Sequence, residues 1–171
     1  MLKKFCVLLL CTLSLFGCAS DEEPENKEAV KPPAAATPTP DPIVAYGEGF
    51  AAPEGTGDMT WRWMVGASGV AKLKNTGKDM AIRLEADVPI DRIKSPTVTV
   101  TLNGEQLDQF TVAGARIEKD YTIPAAKQGS GTHSELRIAT NKTFVPKAFD
   151  PKTTDDRQLG LSLRKLTWVP K

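Results

Sequence analysis

The feature that most constrains the fold of this chain is a strict alternation of apolar and polar residues in several short segments. In the clearest case, four aliphatic residues alternate with three charged ones: Ile82, Arg83, Leu84, Glu85, Ala86, Asp87 and Val88. A period of two places successive side chains on opposite faces of a β-strand. The pattern recurs at 98–102 and 159–163, and no stretch of ten or more residues shows helical spacing. These segments predict half-buried strands.

The alternation is interrupted once, near the end of the chain. Arg164 and Lys165 are both charged, and the apolar set then resumes one residue late, as Leu166 and Trp168. A β-bulge supplies one extra residue of this kind in a strand. We therefore expect a long last strand with a bulge at 164–165.

Other segments between residues 43 and 171 also have the character of strands. They are 60–65, 69–74, 109–112, 117–123 and 135–139. Turn signals separate them, and Asn103-Gly104 predicts the tip of a hairpin. Eight or nine short strands in about 130 residues, enough for one core, predict a single all-β domain over 43–171. We expect an antiparallel β-sandwich of the jelly-roll-like kind.

Residues 18–42 differ in composition from the rest. After Cys18 this segment has six acidic residues, two lysines, six prolines, no aromatic residue and one β-branched aliphatic residue, Val30. Such a segment cannot bury enough apolar surface to offset the entropy lost on ordering, and its prolines favour extended conformations. We expect a disordered tether rich in Pro, Ala and Glu.

The N-terminus has the composition of an export signal. Two lysines precede an apolar run at residues 5–16, which is shorter than the about 20 residues that span a bilayer. The run ends in Leu15-Phe16-Gly17-Cys18, which resembles the bacterial lipobox. The resemblance implies that residues 1–17 are a lipoprotein signal peptide and that Cys18 carries a diacylglyceryl group. The alternative is an ordinary secretory signal.

A lipid on Cys18 would anchor the chain to a membrane. Ala19 follows the cysteine, whereas Asp at this place tends to retain lipoproteins at the inner membrane of bacteria with two membranes. The resemblance therefore implies a cell-envelope location, with the outer membrane, facing periplasm or surface, favoured. Cys6 and Cys11 lie within the signal, so the folded part can form neither a disulfide nor a Cys-based metal site.

Charge and residue types disfavour several classes of function. Residues 43–171 carry 18 basic and 15 acidic residues without a basic cluster, which argues against a nucleic-acid partner. No Gly-x-Ser-x-Gly motif accompanies the single histidine, His133. We predict no catalytic residues, no cofactor and no metal. Two alternatives stay open: a Ca²⁺ site at Asp155-Asp156, and a glycosidase-like carboxylate pair of Glu54 with Asp156.

Two clusters near the ends of the domain are the candidate site. The first joins residues 49–55 to Trp61-Arg62-Trp63, and the second joins residues 143–147 to 155–161. Tryptophan rings with nearby charged groups suit sugar binding, because the ring stacks on a pyranose and the charges hydrogen-bond its hydroxyls. The tentative ligand-binding residues are Glu54, Trp61, Arg62, Trp63, Asp156 and Arg157.

The alternative is structural. The tryptophans are then part of the core, since Trp is highly buried on average, and the charged residues tie the terminal strands together. Under this alternative Glu54, Arg62, Asp156 and Arg157 form one network. The exposure of Trp61, Trp63 and Trp168 distinguishes the two interpretations.

The order of these clusters is similar to that of an uncharacterised β-rich domain. That domain ends some bacterial membrane proteins of the glycosyltransferase and phosphoglycerol-transferase kind. The resemblance covers roughly residues 46–168, and the segment 156–161 (Asp-Arg-Gln-Leu-Gly-Leu) is its most specific part. It implies a jelly-roll-like sandwich in envelope glycan assembly that binds and does not catalyse.

Three functions follow as expectations. The first is a non-catalytic binding module on a lipid anchor that contacts cell-envelope glycan. The second is a structural or assembly lipoprotein that binds another envelope protein along a sheet edge. The third is a hydrolase that uses Glu54 with Asp156.

Overall fold

The computed structural model describes residues 43–171, and the predicted signal peptide (1–17), Cys18 and the predicted tether lie outside the described residues. Ten strands and two short 3₁₀ helices, Ala125–Gln128 and Pro146–Ala148, make up the regular structure of this range. The strands are β1 (Val44–Tyr46), β2 (Glu54–Thr56), β3 (Met59–Val65), β4 (Ser68–Lys74), β5 (Met80–Asp87), β6 (Thr97–Leu102), β7 (Glu105–Thr111), β8 (Arg116–Ile123), β9 (His133–Thr140) and β10 (Leu159–Pro170). None of these described segments is a helix that could cross a membrane.

The strands form two five-stranded antiparallel sheets. The order is β1-β4-β9-β6-β7 in the first sheet and β2-β3-β10-β5-β8 in the second. Strands β3 to β10 are arranged in the two sheets in the order of an eight-stranded jelly roll, and β1 and β2 extend one edge of each sheet. The prediction of an all-β, jelly-roll-like sandwich is confirmed. The two three-residue strands, β1 and β2, were not predicted.

The inward faces of the sheets make one core. The aliphatic members of the 82–88 segment are at most 3% exposed, whereas their charged neighbours face solvent on the second sheet. Strand β10 shifts register between Leu163 and Lys165, and this bulge returns Leu166 and Trp168 to the core. The hairpin of β6 and β7 turns at Asn103 and Gly104, both with positive φ, as a type I′ turn requires.

Cation–π contacts close both open edges of the sandwich. At one edge the Arg62 guanidinium lies 4.5 Å from the centre of the Tyr46 ring. At the other, Lys119 Nζ lies 4.0 Å from the centre of the Phe110 ring and 3.0 Å from Asp108 Oδ2. These contacts let amphipathic side chains cover the core where strand pairing ends.

The two ends of the sandwich differ in what they hold. The end at which the described chain begins, here called the entry end, carries Ile43 and the turns 75–79 and 124–132. The Ile43 carbonyl accepts a hydrogen bond from the Lys74 amide. There the buried Gln128 accepts from the Thr76 amide and donates to the Lys78 carbonyl. The far end carries the loops 66–67, 88–96, 112–115 and 141–158, which hydrogen-bond to one another.

Candidate functional site

A shallow groove lies on the outer face of the second sheet and reaches its far end. It holds about 380 Å³ and is lined by Trp61, Trp63, Asp87, Val88, Pro89, Ala115, Ser162 and Arg164. Strand register brings these residues together, because Ser162 of β10 pairs with Trp63 of β3 on one side and with Asp87 of β5 on the other. We call this the Trp groove.

Alternation along β3 places its two tryptophans in this groove. Met64 is 1% exposed and points into the core, so Trp63 points outward with Trp61, two residues away. Both indoles are half-buried. The tryptophans are therefore neither core residues nor fully exposed, and part of each ring is left to line the groove.

Neighbouring residues hold each indole from one side. The Trp63 ring packs edge-on against Phe144, with centroids 5.9 Å apart, and Phe144 packs in turn against Phe149. The Trp61 ring lies against Gly55 of β2, where an added Cβ would come within 2.7 Å of Cζ3. Packing of this kind limits the rotation of both rings, so the aromatic surface is organised before any ligand arrives.

Charged groups lie across the groove from the tryptophans. Asp87 Oδ2 accepts from Arg164 Nη1 at 3.0 Å, and Asp87 Oδ1 accepts from Arg116 Nε at 3.3 Å. A carboxylate between two guanidinium groups keeps a fixed orientation, and both arginines retain unused donors. An aromatic surface opposite oriented donors and acceptors is what binding of a hydroxyl-rich ring requires.

The sequence reasoning missed Asp87, Ser162 and Arg164. Each lies on a strand that was predicted, at an outward position, and the alternation of 82–88 already marked Asp87 as solvent-facing. Their proximity to the tryptophans depends on which strand pairs with which, and this comes from the register of β3, β10 and β5. The periodicity of a single strand carries no such information.

Arg157 forms a different ion-pair network from the one predicted. Its Nη1 donates to Glu54 Oε1 at 3.0 Å, while Nε and Nη2 donate to Asp155 at 2.9 and 2.7 Å. These hydrogen bonds raise the pKa of Arg157 and lower the pKa of Asp155. The Glu54–Arg157 pair joins β2 to the segment before β10, as predicted.

Asp156 does not belong to that network, so this part of the prediction is wrong. In an extended segment, residues two apart point to the same side, so Asp155 meets Arg157 and Asp156 points away. Asp156 is exposed, and among residues 43–171 no hydrogen-bond or ion-pair partner reaches its side chain.

Arg62 is also absent from the network. Glu54 pairs in register with Trp61 and so shares the outer face of the sheet, whereas Arg62 points the opposite way, toward β1. There its Nη1 donates to the Ala51 carbonyl at 3.0 Å. Within the described range, no carboxylate lies at ion-pair distance from this guanidinium.

A second groove continues from the first. It holds about 200 Å³ and is lined by Tyr46, Pro53, Thr60, Trp61, Arg62, Leu163 and Arg164. Trp61 and Arg164 line both grooves and form the ridge between them. Burial raises the pKa of the Tyr46 phenol, with Arg62 acting in the opposite direction. We call this the Arg62 groove.

The remaining candidate residues are located as follows. Trp168 is 2% exposed and donates its indole N–H to the Lys74 carbonyl, so it belongs to the core. His133 begins β9, with Nδ1 3.0 Å from the Thr132 hydroxyl. In the part of the chain that the structure describes, no three His, Cys, Asp or Glu side chains are grouped to hold a metal ion.

Neither a protein-family profile nor a curated protein matches the chain. Among solved structures, the C-terminal domain of EclA, a sugar-binding protein, is 11% identical over 61% of this chain and 67% of that one, with a TM-score of 0.40. A two-domain esterase active on acetylated mannans is 12% identical over 77% of this chain, with a TM-score of 0.39, and this chain spans only 35% of it. A family 35 carbohydrate binding module from an environmental isolate is 14% identical over 75% of this chain and 96% of that one, with a TM-score of 0.40. Likenesses at this level carry no conclusion about what this chain binds.

Proposed function

We propose that this chain is a non-catalytic, lipid-anchored module that binds glycan in the bacterial cell envelope. The observation that carries the proposal is the Trp groove, in which Trp61 and Trp63 face the Asp87 carboxylate between Arg116 and Arg164. The indoles supply an apolar surface for the face of a sugar ring. The carboxylate and guanidinium groups supply acceptors and donors for its hydroxyls.

The groove and the first described residue lie at opposite ends of the domain. The described chain begins with Ile43 at the entry end, whereas Val88, Pro89 and Ala115 bring the groove to the far end. The lipobox-like Leu15-Phe16-Gly17-Cys18 supports the lipid anchor, and Ala19 supports the outer membrane over the inner one.

The rival functions have less support. A protein partner that adds a strand needs a free, preferably apolar edge, but β1 and β2 have three residues each. The other two edge strands are polar: β7 exposes Glu105, Gln106 and Gln109, and β8 carries outward Arg116, Glu118 and Asp120. A hydrolase needs a carboxyl group with a raised pKa as its acid. It also needs a second carboxyl group facing the same bond. Glu54 instead pairs with Arg157, and the exposed Asp156 points away from that pair.

A glycan array with the detergent-solubilised full chain tests the proposal, followed by titration of intrinsic tryptophan fluorescence. We expect Trp63→Ala to weaken binding of the selected glycan by about tenfold, which corresponds to about 1.4 kcal/mol. Asp87→Asn should weaken it as well. Asp120→Asn is the matched control, since Asp120 is an outward, Arg-paired carboxylate that does not line the groove.

Two results would contradict the proposal. One is the absence of binding to any envelope polysaccharide together with co-purification of a stoichiometric protein partner. The other is glycan binding that Trp63→Ala and Asp120→Asn affect equally, because the groove then plays no part. Hydrolysis of the bound glycan that is lost in Glu54→Gln would instead restore the hydrolase alternative.

A further inference from the structure

The Arg62 guanidinium is held in place without a counter-charge. One N–H donates to the Ala51 carbonyl, and Cζ lies over the Tyr46 ring, 4.5 Å from its centre. An arginine has five N–H donors, and among residues 43–171 the Ala51 oxygen is the only hydrogen-bond acceptor that meets one of them. The remaining donors are available to a group in the Arg62 groove.

This state is unusual for the charged side chains nearby. Arg157, Arg164 and Arg116 each pair with at least one carboxylate. Arg62 is half-buried, where an unpaired charge loses part of its hydration. A fixed, partly dehydrated guanidinium with free donors is a preorganised site for a planar or tetrahedral anion.

The Arg62 groove also has the right surroundings for such an anion. Its other charged lining residue is Arg164, and no Asp or Glu lines it. The Trp groove adds the carboxylate of Asp87, but that carboxylate is already shared by Arg116 and Arg164. Across both grooves, basic lining residues therefore exceed acidic ones, and the excess is concentrated on the Tyr46 side of Trp61.

We infer that the module selects acidic glycans, with a sugar stacked in the Trp groove and its anionic substituent bound by Arg62. The inference rests on the proposed function and names the ligand class of the same site. The anion is a carboxylate or a phosphate, since both accept the paired N–H donors of arginine. Trp61 and Arg164 line both grooves, so a ligand seated beside these two residues borders both grooves.

The test uses two matched pairs of probes with the detergent-solubilised full chain. One pair is polygalacturonate oligosaccharide and the same material after carboxyl reduction. The other is a phosphorylated mannan and the same mannan after dephosphorylation. We expect the chain to bind the acidic member of at least one pair about tenfold more tightly, the gain typical of a charge-assisted bidentate contact. Which pair shows the preference distinguishes carboxylate from phosphate.

Variants separate this inference from the proposed function. Arg62→Gln should abolish the acidic preference, so that the acidic member binds no more tightly than the neutral one. Trp63→Ala should weaken both members alike, because Trp63 lines only the Trp groove. Arg137→Gln is the control: it removes the same charge from an arginine of β9, which lies in the other sheet and pairs with Glu135.

The outcomes are decisive in both directions. Equal affinity for acidic and neutral members, binding to none of the four probes, or equal effects of Arg62→Gln and Arg137→Gln would overturn the inference. The glycan array decides the proposed function independently. If Arg62→Gln does not fold, the wild-type chain still provides a test: its acidic preference should decrease as NaCl rises, and an unchanged preference at high salt would overturn the inference.

Discussion

Replacing Asp155 and replacing Asp156 should have different consequences, although the residues are adjacent and chemically identical. Asp155 accepts three hydrogen bonds from Arg157: from Nε at 2.9 Å, from Nη2 at 2.7 Å and from the backbone amide at 3.1 Å. No partner among the described residues reaches the Asp156 side chain. Asp155→Asn therefore removes an ion pair, and Asp156→Asn removes only an exposed charge.

The magnitude follows from the exposure of the pair. The side chains of Arg157 and Asp155 are 38% and 26% exposed, so solvent screens their attraction. An exposed ion pair contributes about 0.2–1 kcal/mol, and bidentate geometry places this one at about 1 kcal/mol. In a domain of this size that corresponds to a decrease of about 4 °C in Tm for Asp155→Asn. Asp156→Asn should stay within about 0.5 kcal/mol of wild type.

The pH dependence of stability gives a second measurement. The pKa of Asp155 is lowered in the folded chain, chiefly by its hydrogen bond to the Arg157 side chain. As the pH decreases below the unfolded-state pKa of about 3.9, the unfolded chain binds more protons at this site than the folded chain does. The stabilisation by the pair therefore decreases as the pH decreases. It is fully present above that pKa and is lost as pH falls through the folded pKa. The Tm difference between wild type and Asp155→Asn should shrink accordingly.

Calorimetry or circular dichroism of the two variants at pH 7 and at pH 2–3 provides the assay. Arg157→Ala should resemble Asp155→Asn with an additional loss, because it also removes the pair with Glu54. Equal Tm values for Asp155→Asn and Asp156→Asn at pH 7 would refute the reasoning. A Tm difference that does not change with pH would refute the assignment of the effect to the ionised carboxylate.

Two further predictions concern the core and the anchor. Gly160→Ala should destabilise the domain by about 1–3 kcal/mol, because the new Cβ would lie 2.7 Å from Met64 Cε and 3.0 Å from the Gly66 carbonyl oxygen. Gly114→Ala, which meets no atom within 4 Å, is the control, and equal unfolding midpoints in urea would contradict the packing argument. Cys18→Ser should leave the signal unprocessed by lipoprotein cleavage and the chain without lipid, which mass spectrometry and cell fractionation measure; normal processing with retention in the membrane would contradict the lipobox interpretation.

The sequence predicted the fold well because a period of two is a local property. The alternation of segment 82–88 is typical of a strand, and the one-residue shift of Leu166 and Trp168 predicted the bulge that β10 contains. Strands β1 and β2 were missed because three residues are too few to show alternation. Their positions are set by pairing with other strands. Strand β1 pairs with β4, which is remote in sequence, and β2 pairs with β3 across a tight turn.

The candidate site was only partly predictable because it depends on pairing between strands. The tryptophans were identified from their residue type and spacing, whereas the charged groups opposite them lie about 25 and 100 residues further along the chain. The predicted network failed for a local reason. Asp156 and Arg62 each lie one position out of phase with the partner assigned to them, and one position in a strand reverses the face.

The bulge of β10 affects both the core and the outer face of the second sheet. If alternation continued unbroken from the buried Leu163, Lys165 would point into the core and both Leu166 and Trp168 would point out. The register shift between Leu163 and Lys165 avoids this and leaves Arg164 as the additional residue. Arg164 is not paired with a residue of β5. Its side chain donates a hydrogen bond to Asp87 and lies on the ridge beside Trp61. The residue that joins the two proposed binding grooves is therefore the same one that the core requires as a spacer.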